Sequence, residues 1–310
     1  MLLTQVLELF ELLDTPAANG ETIKKLMLER GADEVTVETA TGDKGSTDSI
    51  KILIKGSNGK SSGGSAPTLG IIGRLGGLGA RPEVTGFVSD GDGALAALSA
   101  GLKLAQMHKN GDVLEGDVLI ATHICPDAPT QDHFPVPFMD SPIDMALCNQ
   151  MEVDERMDAI LSIDTTKGNR VINLNGIAIS NTIKEGYILE VSNDLMDVMT
   201  RVTGKLPAIF PCAQQDITPY GNDLHHLNSI LQPATATNAP VVGVAITTEQ
   251  PVAGCATGAS HPLDVEVAAR FAVEVAKGYA TGAVSFFDEK EYNHLLELYG
   301  AMNRFQTFGK

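Results

Sequence analysis

Short apolar runs alternate with helical segments through most of the chain beyond residue 68. Runs with the length and composition of buried strands occupy 69–73, 85–88, 117–122, 159–163 and 240–246. Between several of them lie stretches rich in small or apolar residues at helical spacing. Strands that alternate with helices are typical of a sheet with parallel strands and helices on both faces. The sequence therefore predicts an α/β protein with three αβα layers and a mixed, largely parallel central sheet.

The first part of the chain has a different pattern. Apolar residues follow helical spacing in 2–13 and 21–30, whereas 34–38 and 49–56 alternate between apolar and polar residues. This alternation indicates strands with one solvent-facing side, so we expect them at the outside of the sheet, paired antiparallel. No linker or internal repeat interrupts the sequence. We therefore predict a single domain over 1–310, with a helical and strand appendage at 1–48, a core at 49–282 and a C-terminal helix at 283–310.

Acidic residues outnumber basic ones by 39 to 22, which gives a formal net charge of -17. This charge repels nucleic-acid backbones and anionic lipids, so we expect neither nucleic acid nor membrane as a partner. It suits metal ions and small cationic or zwitterionic substrates, although acidity also serves solubility alone. The 4 cysteines form no CxxC pair, which argues against a cysteine zinc site. Because the N-terminus has no signal-peptide pattern, we expect a cytoplasmic protein, and we expect a homo-oligomer.

Carboxylates and imidazoles follow several of the predicted strands. In open α/β sheets, ligands bind beyond the carboxyl ends of the strands, so these side chains are candidates for a common site. They are also the ligand types that Zn, Mn, Co or Ni accept. The residues at predicted strand ends, or in the loops that follow them, are Asp90, Asp92, His123, Asp127, Asp164 and His261.

Each of these side chains also has a purely structural interpretation. Asp90 and Asp92 are placed to cap the helix that follows them, and His261 precedes another helix. Asp164 is followed by two threonines, as in an Asx turn. His123 is equally compatible with a buried imidazole that has found its hydrogen-bond partners. A metal or catalytic centre is favoured because all of them occur together at strand ends.

The order of three short motifs resembles that of the co-catalytic zinc exopeptidases. A bridging aspartate before a helix of small residues is matched by 89–98, a later aspartate after a strand by 163–166, and a late histidine by 260–264. The resemblance extends over 49–282. The segments 122–127 and 215–220 are also similar to a bacterial family known as a domain of unknown function.

The resemblance implies a zinc-exopeptidase-like fold and a divalent metal, zinc first, with Mn, Co or Ni as alternatives. It also implies hydrolysis of amide or peptide bonds in small amino-acid-like substrates. One metal position would be built from Asp90 or Asp92, Asp164 and His261. The second would have to be rebuilt around His123.

Two departures from the exopeptidase pattern affect this interpretation. The position of the family's His-x-Asp motif has Gly73-Arg74-Leu75-Gly76, and His123 with nearby Asp127 stands where the family has a Glu-Glu pair. We therefore predict His123 and Asp127 as the catalytic ligand or base. Arg74 suits a substrate carboxylate, and the alternative for it is a salt bridge to Asp90 or Asp92.

A polar segment near 221–226 completes the candidate site. Asp223 and His226 fall where the exopeptidases often contact substrate, although an exposed helix start explains them equally well. The leading hypothesis is a metal-dependent amide or peptide hydrolase with a remodelled metal site. The alternative is a non-catalytic descendant that binds a metal, an amino acid or a short peptide. A dinucleotide-dependent oxidoreductase is disfavoured, because the glycines of 73–79 do not have GxGxxG spacing.

Overall fold

The structure is a computed structural model that describes residues 2–74, 86–132, 138–213, 227–252 and 260–307. The helices are α1 (Leu3–Leu13), α2 (Gly20–Arg30), α3 (Asp92–Lys109), α4 (Met145–Glu152), α5 (Asn193–Thr203), α6 (Pro262–Ala280) and α7 (Glu289–Tyr299). The strands are β1 (Glu34–Gly42), β2 (Gly45–Ile54), β3 (Leu69–Gly73), β4 (Val118–Ile124), β5 (Thr130–Gln131), β6 (Phe138–Met139), β7 (Ala159–Thr165), β8 (Gly176–Lys184), β9 (Tyr187–Ile188) and β10 (Val241–Thr247).

Eight of these strands form one sheet in the order β1-β2-β4-β3-β7-β10-β8-β9. The four central strands, β4, β3, β7 and β10, are parallel to their neighbours within this group. On one side β2 joins β4 antiparallel, and on the other β8 joins β10 antiparallel. The predicted α/β fold with a mixed central sheet is confirmed.

Helices and a 3₁₀ segment cover the two faces of the sheet. On one face, apolar residues of α3 and α6 pack against alternate residues of the central strands, such as Ile71, Leu161 and Val244. On the other face, the intervening positions Ile72 and Ile160 pack into a second core with the 3₁₀ segment Ser229–Thr235, beside which α4 lies. The central strands are apolar on both sides because both faces are covered, which explains their continuous apolar runs.

Glycines allow the end of β3, the start of α3 and β7 to approach one another closely. A Cβ atom on Gly93 would overlap the carbonyl oxygen of Ile163 and lie 2.9 Å from that of Arg74. A Cβ atom on Gly73 would lie 2.6 Å from the Gly93 carbonyl oxygen. Side chains at these positions would push the helix away from the sheet. The glycines thereby fix where α3 begins relative to the strand ends.

The structure differs from the sequence-based expectation at several elements. Residues 86–88 are not part of a strand, because β3 already has β4 and β7 on its two sides and no position in the sheet is left beside it. His123 and Asp164 are the penultimate residues of β4 and β7, so they lie inside these strands instead of after them. Strand β8 was not predicted. Within the predicted 1–48 appendage, β1 is a strand of the main sheet; the division into domains stays a prediction.

None of the helices in the described parts of the chain combines the length and the apolar character that a bilayer-spanning segment needs.

Candidate functional site

The connections between the parallel strands reverse direction beside β3. From β3 the chain continues to β4 on one side, whereas β7, on the other side, leads on to β10. In open α/β sheets such a switch point opens a crevice at the carboxyl ends of the strands. The crevice between β3 and β7 is therefore the place to look for a site.

Three charged or polar residues lie in one row across the carboxyl edge. Ile72 is paired with Ala121 of β4 and with Ser162 of β7. The residues two positions further along are Arg74 just after β3, His123 in β4 and Asp164 in β7. Because side chains alternate along a strand, these three point to the same face as Ile72. The backbone N–H of Arg74 continues the ladder by donating to the Ile163 carbonyl oxygen at 2.8 Å. The sheet register thus brings together three residues that the sequence had predicted for the site.

Arg74, His123, Asn149 and Glu152 form a buried network that we call the Arg74 cluster. The Glu152 carboxylate, at the end of α4, accepts hydrogen bonds from Arg74 Nη1 and from His123 Nδ1, the latter at 3.0 Å. Arg74 Nη1 also donates to Asn149 Oδ1 at 2.8 Å. Arg74 and Glu152 are each only 1% exposed. The salt bridge considered for Arg74 exists, but its partner is Glu152, not Asp90 or Asp92.

The electrostatics of the Arg74 cluster favour the ionised pair. Burial by itself would raise the pKa of Glu152, but the Arg74 charge and the His123 hydrogen bond hold that pKa below its usual value. Burial would likewise lower the pKa of Arg74, but Glu152 and the more distant Asp164 raise it. Arg74 Nε has no hydrogen-bond partner among the residues described. The Arg74 cluster is therefore a buried ion pair in which the guanidinium Nε–H group has no acceptor among the described residues.

Asp92, Lys167 and Ser260 form a second group, the Asp92 cluster. Asp92 is the first residue of α3 and is fully buried. Lys167 Nζ lies 3.2 Å from Asp92 Oδ2, and Ser260 Oγ donates to Asp92 Oδ1. Burial raises the pKa of Asp92 to about 6, although Lys167 and Ser260 counteract the shift. Both oxygens of this carboxylate thus have protein partners.

The remaining predicted ligands have separate surroundings. Asp164 is 1% exposed, and its carboxylate accepts hydrogen bonds from the Thr165 backbone N–H at 2.7 Å and from Ser229 Oγ at 3.4 Å. Asp90 lies in the 3₁₀ turn that leads into α3 and is half-buried. His261 precedes α6 with its side chain 50% exposed, and its Nδ1 lies 3.3 Å from Asp264 Oδ2.

The role predicted for His123 and Asp127 as catalytic ligand or base stays a prediction, and the structure places the two residues in different surroundings. Asp127 follows β4 in an exposed turn, whereas the carboxylate that contacts His123 is that of Glu152. The structural interpretation of His123 as a buried, satisfied imidazole agrees with this contact. Asp223 and His226 lie outside the described residues, so their predicted contact with substrate stays a prediction.

The side chains of the described residues, as they are placed, do not fit a divalent metal ion. All five predicted ligands (Asp90, Asp92, His123, Asp164 and His261) belong to the described residues, yet within that part of the chain no group of three or more His, Cys, Asp or Glu side chains is placed to hold an ion. In addition, a lysine ammonium already neutralises Asp92. A divalent site of the usual kind requires several such ligands around one point. As arranged here, the edge is a set of internal ion pairs.

Comparison with solved structures identifies the fold. The chain superimposes on the LapA aminopeptidase of Legionella pneumophila with a TM-score of 0.52 and 10% identity, covering 91% of this chain and 72% of that one. For the cytosol aminopeptidase of Coxiella burnetii the TM-score is 0.50 at 15% identity, and the match covers 89% of this chain and 68% of that one. For the leucine aminopeptidase of Caenorhabditis elegans the TM-score is 0.50 at 14% identity, and the match covers 91% of this chain and 65% of that one. The chain therefore spans about two thirds of the length of these aminopeptidases and has their fold.

The similarity to aminopeptidases confirms the zinc-exopeptidase-like fold that the motif resemblance implied. A comparison with curated proteins found no match. One family model matches residues 38–309, most of the chain, as the resemblance to a domain of unknown function had suggested. The chain belongs to the family described as "Protein of unknown function (DUF1177)".

Proposed function

We propose that this protein binds a small amino-acid-like or peptide-like molecule at the carboxyl edge of its sheet, on a metallopeptidase fold that has lost its metal centre. The observation that carries the proposal is the buried Asp92–Lys167 pair, with Nζ and Oδ2 3.2 Å apart. A protein cation therefore accompanies a carboxylate at the edge where this fold class binds ligands. This pairing favours recognition without a metal over metal-dependent hydrolysis.

The charges at the edge suit a zwitterionic ligand. Arg74 Nε is a buried donor without a partner in the described structure, and the carboxylate of a ligand that reached it would be a matching acceptor. The net charge of -17 favours a ligand that also carries a positive group. An amino acid or a short peptide has both features. We include in the proposal a cytoplasmic location and a homo-oligomeric state, which fractionation and light scattering would test.

The second candidate is a metal-dependent hydrolase of amide or peptide bonds in small amino-acid-like substrates. It is favoured by the fold shared with aminopeptidases and by the acidic and imidazole side chains at the carboxyl edge. In this case zinc, or Mn, Co or Ni, would be the cofactor. Asp92 would first have to exchange Lys167 for the ion, so the arrangement described here is unfavourable for it.

One experiment separates the two candidates. The purified protein is analysed for bound metal and then titrated calorimetrically with amino acids, dipeptides and N-acyl amino acids, with and without added Zn²⁺ or Mn²⁺. In parallel, release of free amine is measured for each amide. We expect saturable binding without a metal requirement and without turnover. Metal-dependent turnover of any of these amides would establish the hydrolase instead, and absence of both binding and turnover would contradict both candidates.

A further inference from the structure

A groove with a volume of about 940 Å³ lies at the amino edge of the sheet, opposite the carboxyl edge. Asp158 and Pro240 line it and directly precede β7 and β10. Residues within 153–158 and 236–240 form one wall, and residues within 279–289 form the other. The first wall borders the core on the 3₁₀ face of the sheet, and the second borders the core on the α6 face. The volume is that of a site for a small organic molecule.

The floor of the groove is apolar, and aromatic rings stand along one wall. The side chains of Met157, Val284 and Phe286 are buried there, and the rings of Tyr279 and Phe287 are half-buried. The Tyr279 ring meets the Phe286 ring edge-on, with the two centroids 5.3 Å apart. This surface suits the hydrocarbon part of a ligand, because contact with it removes apolar area from water.

One lysine of the lining already places its ammonium group beside aromatic rings. Lys184 Nζ lies 5.8 Å from the centroid of the Phe287 ring and 4.8 Å from that of Tyr292. The same Nζ lies 2.9 Å from Glu185 Oε1 and donates to the Asn238 carbonyl oxygen at 2.8 Å. Lys184 thus has its own counter-ion, and its position shows that this wall accommodates an ammonium group next to its rings.

Two carboxylates stand on the two walls of the groove. Glu155 lies on the first wall, and Glu289, the first residue of α7, lies on the second. Both side chains are exposed, and neither has an ion-pair partner within the described parts of the chain. The third carboxylate of the lining, that of Asp158, is paired with Lys60. Because a single exposed ion pair contributes little, a ligand has to engage both free carboxylates and the apolar floor to bind.

We propose that this groove is a second binding site, which takes an aliphatic diamine. The hydrocarbon chain of the ligand covers the apolar floor, and its two ammonium groups pair with Glu155 and Glu289. The net charge of -17 attracts such a dication to the surface. A metal ion does not fit, because no group of three or more His, Cys, Asp or Glu side chains in the described residues is placed to hold one. The site goes beyond the proposed function, since it lies at the other edge and its ligand has no carboxylate.

The test is a calorimetric titration of the full chain at low salt with three probes of equal length: 1,5-diaminopentane, pentylamine and 1,5-pentanediol. We expect saturable binding of the diamine, about fivefold weaker binding of the monoamine, which lacks one ion pair, and no binding of the diol. Glu155→Gln combined with Glu289→Gln should weaken diamine binding by about tenfold or more. The matched control combines Glu11→Gln with Glu29→Gln, which removes two exposed charges from α1 and α2 and should change the affinity by less than about twofold.

A variant that fills the groove without changing any charge completes the test. Ala236 is exposed and belongs to the lining, so Ala236→Phe should fold and abolish diamine binding, whereas Ala17→Phe, at an exposed alanine outside the lining, should not affect it. A wild-type protein that ignores the diamine would overturn the proposal. So would a control pair of glutamines that weakens binding as much as the pair in the groove, or unchanged binding by Ala236→Phe. These outcomes do not depend on whether an amino acid or peptide binds at the carboxyl edge, because none is present.

Discussion

Arg74, His123 and Glu152 are connected by hydrogen bonds at a point where all three side chains are buried. A buried ion pair of this kind contributes little net stability compared with an apolar replacement of both partners. Loss of one partner is different, because the other charge is then left without water and without a counter-charge. The Arg74 cluster should therefore be sensitive to single substitutions that preserve shape.

Glu152→Gln is expected to lower the free energy of unfolding by about 3–5 kcal/mol, since it leaves the Arg74 guanidinium buried and unpaired. Urea denaturation followed by circular dichroism measures the change. The matched control is Glu21→Gln, which removes the exposed i,i+3 pair with Lys24 and should change stability by less than about 0.5 kcal/mol. If both substitutions lowered the free energy of unfolding equally, an unpaired Arg74 charge in the cluster would not be costly, and the prediction would be wrong.

The raised pKa of Asp92 makes a prediction about pH. In the unfolded chain an aspartate titrates near pH 4, whereas in the folded protein Asp92 titrates near 6. The folded state consequently holds a proton between these values that the unfolded state has released. The contribution of this carboxyl to stability is fully present below about pH 4 and is lost as pH rises through about 6.

Comparison of wild type with Asp92→Asn isolates this contribution from the other acids. The free energy of unfolding of wild type minus that of Asp92→Asn should fall by up to about 3 kcal/mol between pH 4 and pH 7. This is the free energy that corresponds to a pKa shift of roughly two units. Urea titrations at several pH values in this range measure it. A difference that does not vary with pH would mean that Asp92 titrates normally.

Sequence reasoning found some members of the site but not their partners. His123 and Asp164 can be found because the ends of their strands can be read from apolar runs, whereas Asp92 follows an apolar segment that is not a strand. Glu152 was missed because it is 78 residues from Arg74 in sequence and on a helix that no local pattern connects to β3. Asp127 is predicted beside His123 as ligand or base because it is near in sequence, and that role stays a prediction. Lys167 follows a strand end, but lysine is not a usual metal ligand, so the pattern of metal-ligand residues does not single it out.

Elements with a strong local pattern were the most predictable. The β-branched run 240–246 and the small-residue helix after Asp90 correspond to β10 and α3 within one or two residues. The strand predicted over 85–88 is absent at 86–88, the residues of it that the structure describes, since an apolar run does not reveal whether a neighbouring strand is available. Strand β8 was missed although its residues alternate, because polar Asn181 and Thr182 interrupt the apolar pattern.

At the level of elements, the contact between α3 and the strand ends can be tested at Gly93. Gly93→Ala is expected to destabilise the protein by about 1–3 kcal/mol, because the added methyl group meets backbone carbonyls that cannot move independently. Thermal unfolding measures the loss.

Gly101→Ala, in the middle of the same helix, is the matched control. There the new Cβ atom would lie 3.2 Å from side-chain atoms of Ile120, which can adjust, and alanine favours the helix. Its effect should stay within about 1 kcal/mol of wild type. A Gly93→Ala protein as stable as this control would refute the close packing at the start of α3.

At the level of the whole molecule, the excess of acidic residues should make stability depend on salt. With a net charge of -17, the negatively charged side chains repel one another in the compact folded state, and salt screens this repulsion. Raising NaCl from about 20 mM to about 300 mM should increase the melting temperature by roughly 2–5 °C at pH 7.5. Near pH 5, close to the isoelectric point of about 4.7, the net charge is small and the increase should be much smaller. A melting temperature that falls with salt at pH 7.5 would indicate that surface ion pairs outweigh the repulsion.

The two outer strands of the sheet differ in length: β9 has two residues, Tyr187–Ile188, and β1 has nine, Glu34–Gly42. Addition of a strand from another molecule requires a continuous row of backbone groups without partners. Within the described structure, β1 is thus the long edge strand to which a strand of another molecule could be added. Glu34 and Glu38 are exposed there, so identical chains would align like charges. This outer strand should consequently resist amyloid-like self-association while remaining open to a basic peptide.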